Sequence, residues 1–241
     1  MTDADLAALL AQTAGKLLTT LRDSGTASGK TLGDIADATA NAYLVQALQA
    51  LRPEDGLLSE ERVDDLSRLE KSRVWIIDPL DGTREYSEAR EDWAVHVALS
   101  IDGHAAVGAV ALPAQDRVLR SDQPAPRVER PDRPRILVSR TRPPPECAVL
   151  QERLGAELVP MGSAGAKAMA VILGQGDIYF HTGGQHQWDN AAPVAVALGM
   201  GMVATRVDGS PCTYNAPETL LPDLLICAPE WEERVRAALG S

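Results

Sequence analysis

Asp78 and Asp81 stand three residues apart at the end of VWIIDPLDGTREY, Val74 to Tyr86. The stretch begins as a buried strand, with β-branched residues and a tryptophan, and ends in two carboxylates, a proline and a glycine. Proline after Asp78 forces a turn, which can aim both carboxylates and the Leu80 carbonyl at one point. Converging oxygen donors are what Mg²⁺ accepts. The following DGTRE reads as a helix entry: Gly82 lets the backbone turn closely and Thr83 can cap, so free N–H groups and the positive dipole end face the same point. A phosphate ester would be held from both sides. Three more acids belong to this chemistry: Asp37 in DIADATA, Glu60 in LLSEE and Asp189 in QWDNAA. Taken singly, each has a plainer explanation. Asp-x-x-Asp makes a turn with a helix cap, Glu60-Glu61 makes a solvated face, and Trp188-Asp189 makes a core aromatic beside an N-cap. Their joint occurrence, in this order, points to a site.

The elements that must position these acids fall into two groups. Leu6, Leu9, Leu10, Leu17 and Leu21 share one face of an opening helix that Thr2 and Asp5 can cap. A second helix is expected from about Ile35 until Pro53 stops it. Short extended segments at Leu57 to Leu58 and Val74 to Ile77 follow, then a hairpin about Asp102-Gly103 and a strand at Arg117 to Arg120. The first half is thus helices followed by antiparallel strands. Four prolines between Asp122 and Pro134 suit neither helix nor central strand, so the chain is divided into residues 1–128, an α+β half, and 129–241, an α/β half. Beyond them, strands near Ile136, Leu158, Ile178, Met202 and Leu224 alternate with helices near Pro145, Ala164, Trp188 and Pro229, the pattern of an α/β layer.

Bulk properties exclude several function classes. The chain has 241 residues, 45% hydrophobic, with a net charge of −11 and no basic stripe, so long nucleic acid and anionic membranes are disfavoured partners. No apolar run approaches the ~18 residues of a membrane span, and MTDADLAALL carries aspartates where a secretory signal carries basic residues. A cytoplasmic protein is expected. Three scattered cysteines suggest neither disulfides nor zinc. The four histidines belong to none of the acidic motifs and read as surface or packing residues.

Taken together, LLSEE, WIIDPLDGT, GSAGAKAMAV and QWDNAAPVAVALG resemble the lithium-sensitive, magnesium-dependent phosphatases of the inositol monophosphatase superfamily, over about Leu32 to Ala228. The resemblance implies an αβαβα layered sandwich, a mixed α+β and α/β fold. It implies two or three Mg²⁺ ions held by Glu60, Asp78, Leu80 through its carbonyl, Asp81 and Asp189. Asp37 and Thr83 would orient the attacking water with Glu60, and the amides of Gly82 and Thr83 would hold phosphate. Asp34 matches a further metal position in a loop between Lys30 and Asp37 that is shorter than in many relatives. Such an enzyme attacks in line with metal-activated water and forms no phosphoenzyme. Members are often homodimers.

Inositol monophosphatases tend to read DGTTNF, whereas bisphosphate nucleotidases tend to read DGTKEF or DGTREF; this chain reads DGTREY. Inositol-type members also place an acid two residues after the late-strand tyrosine, where this chain has His181 followed by a loop one residue longer. Gly162 and Ser163 match the substrate-side turn, with Asp81 and Asp189 beside it. Lys167 matches a lysine common among the nucleotidases, able to meet a second phosphate or the ribose side. Tyr86 could touch the substrate pocket.

The resemblance therefore implies hydrolysis of the 3'-phosphate of 3'-phosphoadenosine 5'-phosphate, or of its sulfated precursor, a reaction of sulfur metabolism. Inositol-1-phosphate, fructose-1,6-bisphosphate and histidinol phosphate are the alternative substrates. An inactive sensor of a phosphorylated ligand is the alternative of another class, and it is disfavoured because every metal position holds an acid.

Overall fold

Alternation along one strand sets the layering. The computed structural model describes residues 1–240. In β2 (Arg73–Asp81), Trp75 and Ile77 point to one face and Val74 and Ile76 to the other, as the two-residue period of a strand requires. The first face meets α1 (Asp3–Asp23) and α2 (Gly29–Leu51), and Leu6, Leu10, Leu18, Leu44 and Leu48 close over it. The second face meets α5 (Ala164–Ile172) and α6 (Gln187–Gly199), helices so rich in alanine that they fit between two sheets.

The first sheet runs β1-β2-β3-β4-β5, adding β1 (Gly56–Ser59), β3 (Ala94–Ile101), β4 (His104–Leu112) and β5 (Arg117–Arg120). The second runs β7-β6-β8-β10-β9, from β6 (Arg135–Ser139), β7 (Glu157–Met161), β8 (Ile178–His186), β9 (Val203–Thr205) and β10 (Leu220–Cys227). Its outer face is covered by α4 (Glu146–Leu154) and α7 (Glu232–Leu239) around Phe180, Leu225 and Trp231. The order α1/α2, sheet, α5/α6, sheet, α4/α7 is the αβαβα sandwich. The central core draws Ile76 and Ala98 from the first half and Leu137, Met169 and Ile226 from the second. Residues 121–134, which connect the sheets, contain neither helix nor strand.

Several expectations need correction. The first sheet is not wholly antiparallel, because β1 pairs parallel with β2 from Gly56↔Val74 to Ser59↔Ile77. Helix α2 starts at Gly29, so no loop separates Lys30 from Asp37; Lys30 and Asp34 form an i,i+4 ion pair of 2.7 Å on its exposed surface. Leu9 and Leu17 are exposed on α1, and Ala7, Ala11 and Ala14 line the buried face instead, letting the helix sit close to the sheet. The extra residue after His181 lies within β8, which continues to His186 against a register shift in β10. The remaining short helix of the acidic motif is α3 (Thr83–Ser87), with Gly82, at φ 92°, rather than Thr83 in the capping position. No described helix is long and apolar enough to cross a membrane.

Candidate active site

The parallel pair β1-β2 ends where Glu60 and Asp78 emerge side by side, since the Glu60 N–H still reaches the Ile77 carbonyl at 3.4 Å. Asp78 continues the face of Val74 and Ile76 and so turns toward α6. There, Asp189 sits in the first turn and accepts the His186 N–H at 2.6 Å, reinforcing the start of the helix. A register shift between Asp78 and Asp81 bends the strand so that both acids face inward despite odd spacing. One oxygen each of Asp78, Asp81 and Asp189 lies within 4.8 Å of the others.

Their environments differ. Asp78 is 1% exposed, and its side chain has one hydrogen bond, from the Leu80 N–H at 3.1 Å. Burial, then the charges of Glu60 and Asp81, push its carboxyl well above the usual range. Asp189 is raised to about 6 by burial and by Asp81. Glu60 is exposed as a residue, but protein atoms crowd its carboxyl; that burial and the charges of Asp189, Asp37 and Asp81 raise it to about 7. Asp81 goes the other way. Burial pushes its carboxyl up, but His96 and its hydrogen bonds outweigh that and hold it at about 2. Its Oδ2 accepts the Ser163 hydroxyl at 2.5 Å and the Gly165 N–H at 2.6 Å, and Oδ1 accepts the Ala164 N–H at 3.1 Å. Gly165 is required here, because a Cβ would overlap the His96 ring.

Asp37 approaches from α2, one turn after Gly33, whose missing side chain lets the helix rest on α3; a Cβ there would lie 2.8 Å from Thr83 Cγ2. The Thr83 hydroxyl is 3.1 Å from both Asp37 Oδ2 and the Leu80 carbonyl. It has one proton for two acceptors, and an ionised carboxylate is the stronger. Burial, then Glu61, raise Asp37 to about 7.

The residues expected on the substrate side are occupied. The Gly162 N–H donates to Asp92 at 2.6 Å. Ser163, at φ 53°, gives its hydroxyl proton to Asp81 and accepts the Ala166 N–H at 2.9 Å. Lys167 is 5% exposed and folds back onto the carbonyls of Met161, Gly162 and Ser163 at 3.4, 3.3 and 2.5 Å. Burial lowers it to about 8. Tyr86 faces away from the site, donating to the Leu18 carbonyl at 2.7 Å and packing edge-on against Trp93.

Of the histidines, His96 is more than a packing residue, whereas His186 packs as expected. His96 is fully buried on β3, with Nδ1 3.0 Å from the Trp188 carbonyl and Nε2 at an ion-pair distance of 3.1 Å from Asp81. Burial works against its protonated form, but Asp81 outweighs that and raises its pKa. His186 stacks on Trp188 with ring centroids 4.7 Å apart. The available signal was a polar residue at an inward position between Ala94 and Ala98.

The family model for the inositol monophosphatase family matches residues 2–240. The chain belongs to the inositol monophosphatase family. Among its relatives in this family, a Mycobacterium leprae protein named 3'-phosphoadenosine 5'-phosphate phosphatase is 50% identical, over 94% of this chain and 89% of the relative. The 3'(2'),5'-bisphosphate nucleotidase CysQ of Escherichia coli strain K12 is 28% identical over 77% of this chain and 80% of its own length. The crystal structure of CysQ from Bacteroides thetaiotaomicron, a family member, superposes with a TM-score of 0.83 at 24% identity, over 92% of this chain and 96% of that one. The family is metal-dependent, and this cluster fits a metal. All its donors are hard oxygens, and Asp78 and Asp189 each keep an oxygen without a hydrogen-bond donor.

Proposed function

We propose that this protein is a Mg²⁺-dependent phosphomonoesterase that removes the 3'-phosphate of 3'-phosphoadenosine 5'-phosphate, and of its sulfated precursor. The observation that carries the chemistry is the trio of buried Asp78 and Asp81 with half-buried Asp189, in which neither Asp78 nor Asp189 has a cationic side chain in ion-pair contact. Buried carboxylates crowded in this way need cations from solution. The choice of substrate is supported by the name of the 50%-identical relative and by DGTREY.

Asp78, Asp81, Asp189 and Glu60, with the Leu80 carbonyl, would hold the cations. When bound, these supply positive charge for the phosphoryl and leaving oxygens and make water acidic enough to attack. Once ionised, Asp37 accepts a hydrogen bond from the Thr83 hydroxyl, which leaves the Thr83 oxygen to accept from a water and orient it through one of its protons. Glu60, beside the same water, would accept the other as general base. The first amides of α3 have no intrahelical acceptor and are free for the phosphate. Asp81 is held by the 163–165 turn and His96, with more hydrogen bonds than Asp78 or Asp189. The proposal includes a homodimer, supported by the family resemblance and tested by sedimentation velocity.

Phosphate release measured at fixed Mg²⁺ across nucleoside bisphosphate, inositol-1-phosphate and fructose-1,6-bisphosphate tests the substrate. The nucleotide is expected to win. If inositol-1-phosphate exceeds it about tenfold in kcat/KM, about 1.4 kcal/mol in transition-state binding, the assignment is wrong.

A further inference from the structure

Two of the acids at the site depend on their backbones for position, and they come from elements far apart in the chain. Asp78 and Asp81 are carried by β2 itself, and the 163–165 turn holds Asp81. Glu60 lies on the loop after β1, and its carboxyl makes no hydrogen bond. Asp189 lies in the first turn of α6 and accepts one, from the residue that caps its own helix. Whatever sets the loop after β1 against the start of α6 therefore sets the width of the cage.

A segment near the end of the chain joins the two. Residues 211–219 contain neither helix nor strand, and they run between the one-turn helix Ser67–Glu70 and α6. On the first side stands Arg68, 1% exposed. Its Nη1 donates to Asn215 Oδ1 at 2.8 Å and its Nη2 to the Ala216 carbonyl at 3.0 Å. The Asn215 amide returns two hydrogen bonds, to the carbonyls of Arg68 and Lys71, both at 3.3 Å. The same guanidinium grips Asp64, four residues along the loop from Glu60, through Nε at 3.0 Å and Nη2 at 2.8 Å. On the other side stands Gln187, fully buried two residues before Asp189. Its Oε1 accepts the Asn215 N–H at 2.7 Å, and its Nε2 donates to the carbonyls of Ala216 and Glu218 at 3.1 and 3.0 Å. The Gln187 N–H is bound as well, to the Thr219 carbonyl at 2.9 Å. Asn215 and Ala216 are thus held from both sides at once.

Stability alone does not call for such an arrangement. A guanidinium taken out of water must have its donors matched, and apolar side chains of similar volume are often as stabilising or more so. Leu66, at φ 63°, and Asn215, at φ 60°, both take the left-handed region beside it, which asparagine tolerates and leucine does not favour. What the network supplies is direction: a planar fork and an amide with all their partners in place admit one relative placement of the loop and the helix.

We propose that Arg68, Asn215 and Gln187 are positioning residues, a relay that sets Glu60 against Asp189 and so tunes the affinity of the cage for Mg²⁺. The proposal rests on the Mg²⁺-dependent function proposed above and adds side chains that touch neither metal ligand.

The test is Mg²⁺ binding without substrate, by calorimetric titration of the full chain well below its thermal midpoint. Arg68→Met should weaken binding about tenfold, as loss of an outer partner of metal ligands does. Arg68→Lys should fall between, since an ammonium reaches Asp64 or Asn215 but not both. Asn215→Gly removes the amide, keeps the left-handed backbone and should weaken binding less; it tests the relay even where Arg68→Met fails to fold. In turnover, the Mg²⁺ concentration at half activity should rise while kcat at saturating Mg²⁺ is largely kept. Arg68→Met combined with Gln187→Met should weaken binding no more than the worse of the two alone, as links of one chain behave. Arg73→Met, which removes ion pairs to Asp3 and Asp55 at the far end of β2, should lower the thermal midpoint and leave Mg²⁺ binding unchanged. The relay is overturned, and the metal site left standing, if Arg68→Met and Asn215→Gly lose thermal stability alone, if the double variant is additive, or if Arg73→Met weakens Mg²⁺ equally. A wild-type protein that binds no Mg²⁺ would overturn the metal-dependent function along with it.

Discussion

Two buried aspartates, at opposite ends of the molecule's chemistry, show how environment separates structure from function. Asp177, before β8, is fully buried and lies 3.3 Å from Arg130 and 3.0 Å from Arg135. It also accepts the Arg135 N–H at 2.9 Å, so it pins the connecting segment to the second sheet. Asp78, 1% exposed at the end of β2, has no such cation and faces other carboxylates. The first charge is neutralised by the fold. The second is left for an ion from solution, and the protein tolerates it because the rigid strand and the Leu80 amide hold it in place.

Exchanging the two acids for amides breaks or upholds this contrast. Asp78→Asn should abolish Mg²⁺-dependent phosphatase activity by about a thousandfold or more, while the thermal midpoint measured in a chelator holds or rises. Asp177→Asn should do the reverse. Two half-buried arginines lose their buried partner, the protein loses about 3 kcal/mol in denaturant titration, and kcat/KM of the folded fraction is retained. Similar effects of the two on activity would show that the distinction is wrong.

The pH dependence of the chelated protein sharpens it. Asp37 and Glu60 titrate at about 7 and Asp189 at about 6, above their ordinary values of 3.8, 4.5 and 3.8. The folded chain therefore binds more protons than the unfolded one from about pH 4 to about pH 7, so stability is present below that window and declines as pH rises through it. Asp81, held at about 2, acts in the opposite sense only as pH falls below its ordinary 3.8. Saturating Mg²⁺ should flatten the decline; a chelated midpoint that climbs from about pH 5 to about pH 8 would contradict the grouping. The smallest effect belongs to Tyr86→Phe, which removes the hydrogen bond to Leu18 at a cost of about 1 kcal/mol and leaves KM unchanged if the side chain faces α1 as described.

Much of the architecture was legible because local rules were followed. The apolar run into Asp78, the Asp102-Gly103 turn and the alternation after Pro134 each matched the element that formed. The misses came where packing overrides local preference. Leu9 and Leu17 looked buried, but a helix lying flat on a sheet needs small residues at the contact, and alanines took it. Helix α2 begins before Ile35 although Thr31, Gly33 and Asp34 are weak helix formers, because contact with α3 holds its first turns. Motif position says nothing of where the polar ends of Lys167 and Tyr86 go; the surrounding carbonyls and α1 decide it.

By itself, the sequence determined which residue types were available: acids at 37, 60, 78, 81 and 189, a turn-forming proline and glycine between two of them, and strands to carry them. Residue type and period are local properties, set by sterics and hydrogen bonding within a few positions. Only the tertiary structure decided which acids share an oxygen cluster, which one His96 keeps ionised, and which arginines are already spent on carboxylates. Those outcomes depend on distance and burial between segments remote in the chain, and electrostatic energy in a protein is set by both.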